Sequence, residues 1–169
     1  MKKTFTVFAV ITAVFYGFTL YYLLFRLIGR EMVVVSQDML EYYNYWNSVN
    51  LIPFRTIYEY VTAIAEGSIR GHAVRNLCGN LFLFLPMGFY LPFLARELRK
   101  LKTYCVVMAA AIIAVEIIQL ATKSGSLDID DFTLNYAGAL LGFFVFTRTP
   151  IRRVFNLRAW QNNKEITAK

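Results

Sequence analysis

Apolar residues fall into four long runs separated by polar stretches. Thr4–Phe25 is 22 residues without a charge, and Leu77–Ala95 is 19 without one. Thr103–Thr122 is 20 residues with a single acid, Glu116, and Phe132–Thr147 is 16 with none. Ile129 extends the last run past Asp130 and Asp131, so the spans read 4–25, 77–95, 103–122 and 130–147. At ~1.5 Å per residue the first three can cross a ~30 Å hydrocarbon core, and the fourth needs tilt or local thinning. Lys2 and Lys3 precede the first run as a signal peptide's basic residues would. The run is too long for a signal's ~7–15-residue apolar region, and no small-x-small cleavage site follows it. An uncleaved helix is expected. The whole chain is then one all-α membrane domain of four transmembrane helices.

The segment between the first two spans, 29–72, is too long for a featureless loop. Tyr42, Tyr43, Tyr45, Trp46, Phe54, Tyr58 and Tyr60 cluster there, and such rings favour the membrane–water boundary. Arg55–Glu66 reads as an amphipathic helix, with Ile57, Val61 and Ile64 on one stripe and Glu59 and Glu66 off it. This predicts an interfacial or re-entrant helix in the first outer loop. It anchors that loop, or it is a lid over a site.

Composition agrees with the spans. The 169 residues are 57% apolar and 17% charged, against roughly a quarter charged in soluble domains, and mean hydropathy is +0.46. A disordered chain, a disulfide scaffold and a coiled coil are excluded. Lys and Arg set the direction. With the N-terminus inside, 12 of the 18 lie on the inner side, counting the basic tail 148–169. The third loop carries Asp128, Asp130 and Asp131 against Lys123, so both termini are expected in the cytoplasm. The net charge of +7 is therefore a topology signal, not a nucleic-acid footprint. Cys78 falls at the outer end of span two and Cys105 at the inner end of span three, too far apart for a disulfide.

Candidate chemistry lies in the polar residues that lipid disfavours. A carboxylate at a helix centre costs ~2.5–3.5 kcal/mol on insertion scales, so acids inside spans are suspects for function. Span two carries Asn76 and Asn80 at i, i+4, then Pro86, which removes the hydrogen bond to Phe82 and predicts a kink. Span three carries Glu116 and Gln119 at i, i+3, and span four opens with Asp128, Asp131 and Asn135 at i, i+3, i+7 beside Asp130. All map to the outer half, while the inner halves are almost purely apolar. That asymmetry points to a site facing the outer leaflet rather than an ion path. Asp128 or Asp130 can instead cap the helix that follows them, and Glu116 can instead bond Asn76, Asn80 or Asn135 between helices. Gly138 and Gly142 form a GxxxG spacing, for close packing within the chain, with Gly79 and Gly88 as candidate facing residues, or for a homo-oligomer. The four acids have no two-metal or EF-hand spacing, and no Ser or Cys lies near a plausible base. His72, the one histidine, reads as a surface residue. No metal and no cofactor is expected.

These residues also form a pattern. Asn50-Leu-Ile-Pro-Phe54 sits in the outer loop, and Asn76-Leu-Cys-Gly-Asn80 leads into Leu81-Phe-Leu-Phe-Leu-Pro86-Met-Gly88. Glu116-Ile-Ile-Gln119 ends span three, and Leu127-Asp-Ile-Asp-Asp131-Phe-Thr-Leu-Asn135-Tyr-Ala-Gly138 opens span four. In order and spacing this resembles the VanZ-like family of bacterial membrane proteins, over about residues 48–146. The resemblance implies a multi-pass protein of the bacterial cell membrane. Its name-giving member raises resistance to teicoplanin, which carries an acyl chain, with little effect on vancomycin, which does not. By resemblance the functional positions are Asn50, Pro53, Phe54, Asn76, Gly79, Asn80, Pro86, Gly88, Glu116, Gln119, Asp130, Asp131, Asn135 and Gly138. Relatives often have an Arg just before the acidic motif. Here Ser124-Gly-Ser126 stands there, with Lys123 as the nearest cation.

Three functions follow. The first is a non-enzymatic protein that binds or masks a lipid or acylated ligand at the outer leaflet. Its ligand-binding residues would be Asn50, Asn76, Asn80, Glu116, Gln119, Asp128, Asp130, Asp131 and Asn135. The second is an enzyme on a lipid or cell-wall precursor, with Glu116 or Asp131 as general acid/base. The third is a structural partner that assembles through Gly138 and Gly142.

Overall fold

The structure is a computed structural model that describes residues 2–27, 49–67, 70–122 and 124–148. Helix α1, Lys2–Tyr22, runs on as a π-helical turn, Leu23–Leu27. A two-residue strand β1, Val49–Asn50, precedes helix α2, Arg55–Glu66. Helices α3, Arg70–Leu83, and α4, Met87–Leu94, follow, then a 3-10 turn, Arg96–Arg99. Helix α5, Leu101–Ala121, strand β2, Leu127–Asp128, and helix α6, Ile129–Arg148, complete the fold.

Four stretches among the described residues are long and apolar enough to cross a membrane: Val7–Phe25, Ala73–Leu94, Leu101–Ala121 and Ile129–Arg148. The protein is an all-α membrane bundle, as the four apolar runs predict. The second span begins four residues earlier than the apolar run, at Ala73, and so takes in Asn76. Phe8, Phe15 and Phe18 point outward from α1. An apolar face of that size is untenable in water and natural against acyl chains. The expectations for Tyr42, Tyr43, Tyr45, Trp46, Lys123 and the tail beyond Arg148 lie outside the described residues.

Pro86 does more than kink the second span. The helix stops at Leu83 and restarts at Met87. With no N–H on Pro86, the Phe82 carbonyl accepts instead from Leu85 at 3.3 Å, and Met87 donates to Phe84 at 3.0 Å. The Leu83 carbonyl, which a continuous helix would pair with Met87, takes the Tyr16 hydroxyl of α1 at 2.5 Å. In lipid a broken helix is tolerated where a neighbour satisfies the freed backbone in this way.

The glycines set the packing of α6 on this broken span. A Cβ at Gly138 would collide with the Leu81 carbonyl, and one at Gly142 with the Leu85 carbonyl. Gly88 lies equally close to the α6 backbone at Ala139, Gly142 and Phe143. Gly88 is thus the facing residue. Gly79, expected beside it, looks into open space within 4 Å and takes no part in this contact. The core beneath holds Leu20, Leu24, Leu83, Phe84, Tyr104, Met108, Ile112, Ala139 and Phe143. Tyr104 is fully buried there, its ring 4.5 Å from Phe143 and its hydroxyl donating to the Ala139 carbonyl at 3.0 Å.

Helix α2 has the expected bounds but not the expected stripe. Ile57 and Ile64 are half-buried, whereas Val61 is 52% exposed, and no α2 residue is fully buried. The inward side runs instead through Thr56, Tyr60, Ala63 and Ile64, because α2 lies on α3 with its first turn toward α6. Leu51, Ile52, Phe54, Tyr58 and Val61 leave an outward apolar surface suited to a membrane boundary. Gly67 ends the helix at φ 80°, its N–H returning to the Ala63 and Ile64 carbonyls. Cys78 is exposed, Cys105 half-buried, and both are free thiols.

Candidate functional site

A cavity of about 450 Å³ opens where α2 meets the ends of α3, α5 and α6. Helical spacing supplies its polar wall. Asn76 and Asn80 lie one turn apart on α3, Glu116 and Gln119 one turn apart on α5, and Asp131 and Asn135 one turn apart on α6, with Asp128 just before α6. Leu23 and Leu24, at the π-helical end of α1, and Phe82 and Leu83, at the end of α3, form the apolar wall with Tyr16. The cavity is thus polar on one side and hydrocarbon on the other.

A latch of hydrogen bonds closes one side. Strands β1 and β2 pair in parallel, Val49 with Leu127 and Asn50 with Asp128. Asn50 Nδ2 donates to Asp128 Oδ1 at 3.1 Å and to Thr56 Oγ1 at 2.9 Å, and Thr56 donates to Asp128 Oδ2 at 2.6 Å. Asp128 also accepts the Asp130 amide at 2.8 Å, which caps α6 as expected. Asp130 does not cap its own helix. Its carboxylate accepts the Phe54 amide at 2.6 Å and the Ile57 amide at 3.2 Å, at the N-terminus of α2. That end needs an outside acceptor, because Phe54 sits at φ 66° and no side chain of its own segment caps it.

Inside the cavity the donors are largely committed. Asn80 Nδ2 donates to Asp131 Oδ1 and, at 3.4 Å, to Asn76 Oδ1. Gln119 Nε2 donates to the Leu24 carbonyl at 3.0 Å and ties α5 to the π-helical turn. Glu116 and Asn135 differ. Glu116 is 5% exposed and Asn135 2%, yet Glu116 Oε2 and Asn135 Oδ1 have no hydrogen-bond partner. The helix–helix bond considered for Glu116 is not formed with Asn76, Asn80 or Asn135. The Asp128 backbone N–H is the donor that faces its carboxyl. Burying an unpaired acceptor costs ~1–3 kcal/mol, and more for a charged one, so these two oxygens are the most demanding atoms of the site.

Of the nine residues expected to bind ligand, seven line the cavity: Asn76, Asn80, Glu116, Gln119, Asp128, Asp131 and Asn135. Asn50 and Asp130 lie outside the lining and build the latch. Tyr16, Thr56, Tyr60, Arg75 and Ser126 line it without having been expected to bind ligand. Thr56 and Tyr60 are spaced i, i+4 on α2, a signal masked by the stronger aliphatic stripe. The Tyr60 hydroxyl is pushed up by burial first, then by the charges of Asp131, Asp128 and Glu59, so it stays protonated. Arg75 is exposed and adjoins Asn76. Among the described residues no group of three or more His, Cys, Asp or Glu is arranged to hold a metal ion.

The family model described as VanZ/LLP1 matches residues 8–153. No curated protein and no solved structure matches the chain.

Proposed function

The chain belongs to the VanZ/LLP1 family, and on that premise we propose that it binds a lipid or acylated ligand at the outer leaflet of the bacterial cell membrane. By holding that ligand it lowers sensitivity to acylated glycopeptides such as teicoplanin. Glu116 and Asp131 orient the polar head, Asn80 and Asn135 support it, and Leu23, Leu24, Phe82 and Leu83 accept the chain. The α2 segment is the cover that Asn50, Asp128 and Asp130 hold in place.

One observation carries this reading. One cavity is lined both by Glu116 and Asn135, each holding a buried, unpartnered oxygen, and by a hydrocarbon wall. Amphiphilic ligands match such a site, because each half removes a different cost: the head pairs the oxygens, and the chain covers the apolar surface. The positive-inside count and the resemblance to a teicoplanin resistance protein favour the outer leaflet.

The test is antibiotic susceptibility of a sensitive Gram-positive host with and without the gene. Teicoplanin susceptibility is expected to fall and vancomycin susceptibility to stay. Glu116→Ala, expressed at the normal level, is expected to abolish the difference. No change in teicoplanin susceptibility, or full activity of that variant, would overturn the proposal.

A further inference from the structure

The cavity wall is rich in carboxyl groups. Three of its side-chain donors already serve the protein: Asn80 on Asp131 and Asn76, Gln119 on Leu24, Thr56 on Asp128. The fully buried side-chain atoms without a hydrogen-bond partner are both oxygens, Glu116 Oε2 and Asn135 Oδ1. Three carboxylates, Glu116, Asp128 and Asp131, line the same space, and the one Lys or Arg among the described lining residues is the exposed Arg75. A ligand that satisfies this wall must bring hydrogens and positive charge. A head that ends in a phosphate or carboxylate presents only acceptors. A metal ion needs converging acids, and the described acids do not converge. A primary ammonium brings three N–H donors and no acceptor. A quaternary ammonium brings the charge without the N–H groups.

We infer that the cavity binds a membrane lipid whose head ends in a primary ammonium, with the ammonium donating to Glu116 Oε2 and Asn135 Oδ1 and the acyl chains lying along Leu23, Leu24, Phe82 and Leu83. The inference rests on the ligand-binding reading above and supplies its headgroup chemistry. The lipid source, rather than a free amine, follows from the apolar wall, which a small amine would leave bare.

The test is native mass spectrometry of the full chain in uncharged detergent. It is supplied with equal amounts of phosphatidylethanolamine, phosphatidylcholine and phosphatidylglycerol of identical acyl chains. Phosphatidylethanolamine is expected to be retained on the order of tenfold over the other two, the ratio that one charge-assisted hydrogen bond supports. Glu116→Gln keeps the shape and puts an amide NH2 in place of a carboxyl oxygen, and Asn135→Leu keeps the branched shape and removes the acceptor. Each is expected to bring the preference to within about twofold, and either suffices if the other does not fold. Ethanolamine without chains, equimolar with the lipid, is expected not to displace it. Equal retention of all three lipids, or preference for phosphatidylglycerol, overturns the ammonium inference and leaves the wider lipid site standing. Retention of no lipid overturns both. A preference unchanged in both variants overturns the assignment to Glu116 and Asn135. Displacement by equimolar ethanolamine overturns the lipid source.

Discussion

The backbone N–H of Phe54 donates to the carboxylate of Asp130 at 2.6 Å, across 76 positions of the sequence. This bond fixes where α2 begins. Phe54 holds a left-handed backbone, which a non-glycine residue keeps only when its surroundings enforce it. Asp130 enforces it by taking the Phe54 and Ile57 amides together, and as an anion at a helix N-terminus it also opposes the helix dipole.

Asp130→Ala is therefore expected to detach α2 while the bundle stays folded. Two amides lose a charged acceptor, at ~1.5–3 kcal/mol for each such bond. Hydrogen exchange over residues 55–66 is expected to speed up by at least about tenfold, with residues 101–121 unchanged. Asp130→Asn keeps one acceptor oxygen and should fall between the two. Equal exchange in all three proteins would show that the latch rests on Asn50 and Asp128 instead.

Gly138→Ala and Gly142→Ala are expected to destabilise the single chain itself. Each added methyl meets a carbonyl oxygen, of Leu81 or Leu85, on a neighbouring backbone that cannot swing aside. Overpacking costs ~1–3 kcal/mol, more than the ~0.5–1 kcal/mol that Ala gains over Gly in a helix. Gly79→Ala meets nothing and should be neutral or slightly stabilising. Thermal unfolding in detergent, with size-exclusion chromatography for the oligomeric state, checks this. Stable Gly138→Ala protein with an altered oligomer would restore the intermolecular role for this face.

Much of this arrangement is legible in the sequence, for definite reasons. Membrane thickness fixes helix length, and helical spacing alone puts Asn76 with Asn80 and Glu116 with Gln119 on one side of each span. Carboxylates are so costly in lipid that Glu116 and Asp131 mark the site before any coordinate is known. What is not legible depends on contacts between distant segments. Nothing near Asp130 says that it caps α2 rather than α6. Tyr16 looks like one more aromatic in an apolar run until the break at Pro86 exposes the Leu83 carbonyl. Val61 fits the stripe that periodicity predicts, yet it faces outward, because α2 docks through Thr56 and Tyr60.

Tyr16→Phe isolates the contribution of that break. The substitution keeps the ring and its stacking on Tyr90, 5.6 Å away, and removes only the hydroxyl. The Leu83 carbonyl then loses its donor in a dry environment, which costs ~1–3 kcal/mol. A lowered thermal midpoint is expected, with the four spans intact. An unchanged midpoint would mean that the broken helix re-forms its own hydrogen bonds.

The orientation of the bundle decides which leaflet the cavity serves, and two exposed positions read it out. Glu66 closes α2, the helix whose Thr56 and Tyr60 line the cavity, and Lys102 lies in the first turn of α5, at the end opposite Glu116 and Gln119. In a protein with Cys78 and Cys105 replaced by Ala, Glu66→Cys is expected to react with a membrane-impermeant maleimide on intact cells. Lys102→Cys is expected to react only after permeabilisation. The expectation rests on Lys and Arg counted by side, since the short loop holding Asp128, Asp130 and Asp131 belongs with the less basic side. Neither substitution touches the cavity lining, so labelling is independent of ligand. The reverse pattern would put Glu116 and Asp131 against the cytoplasmic leaflet. A teicoplanin molecule arriving from outside could not meet them there, and the antibiotic reading would fall. The amphipathic cavity would then have to serve a lipid of the inner surface.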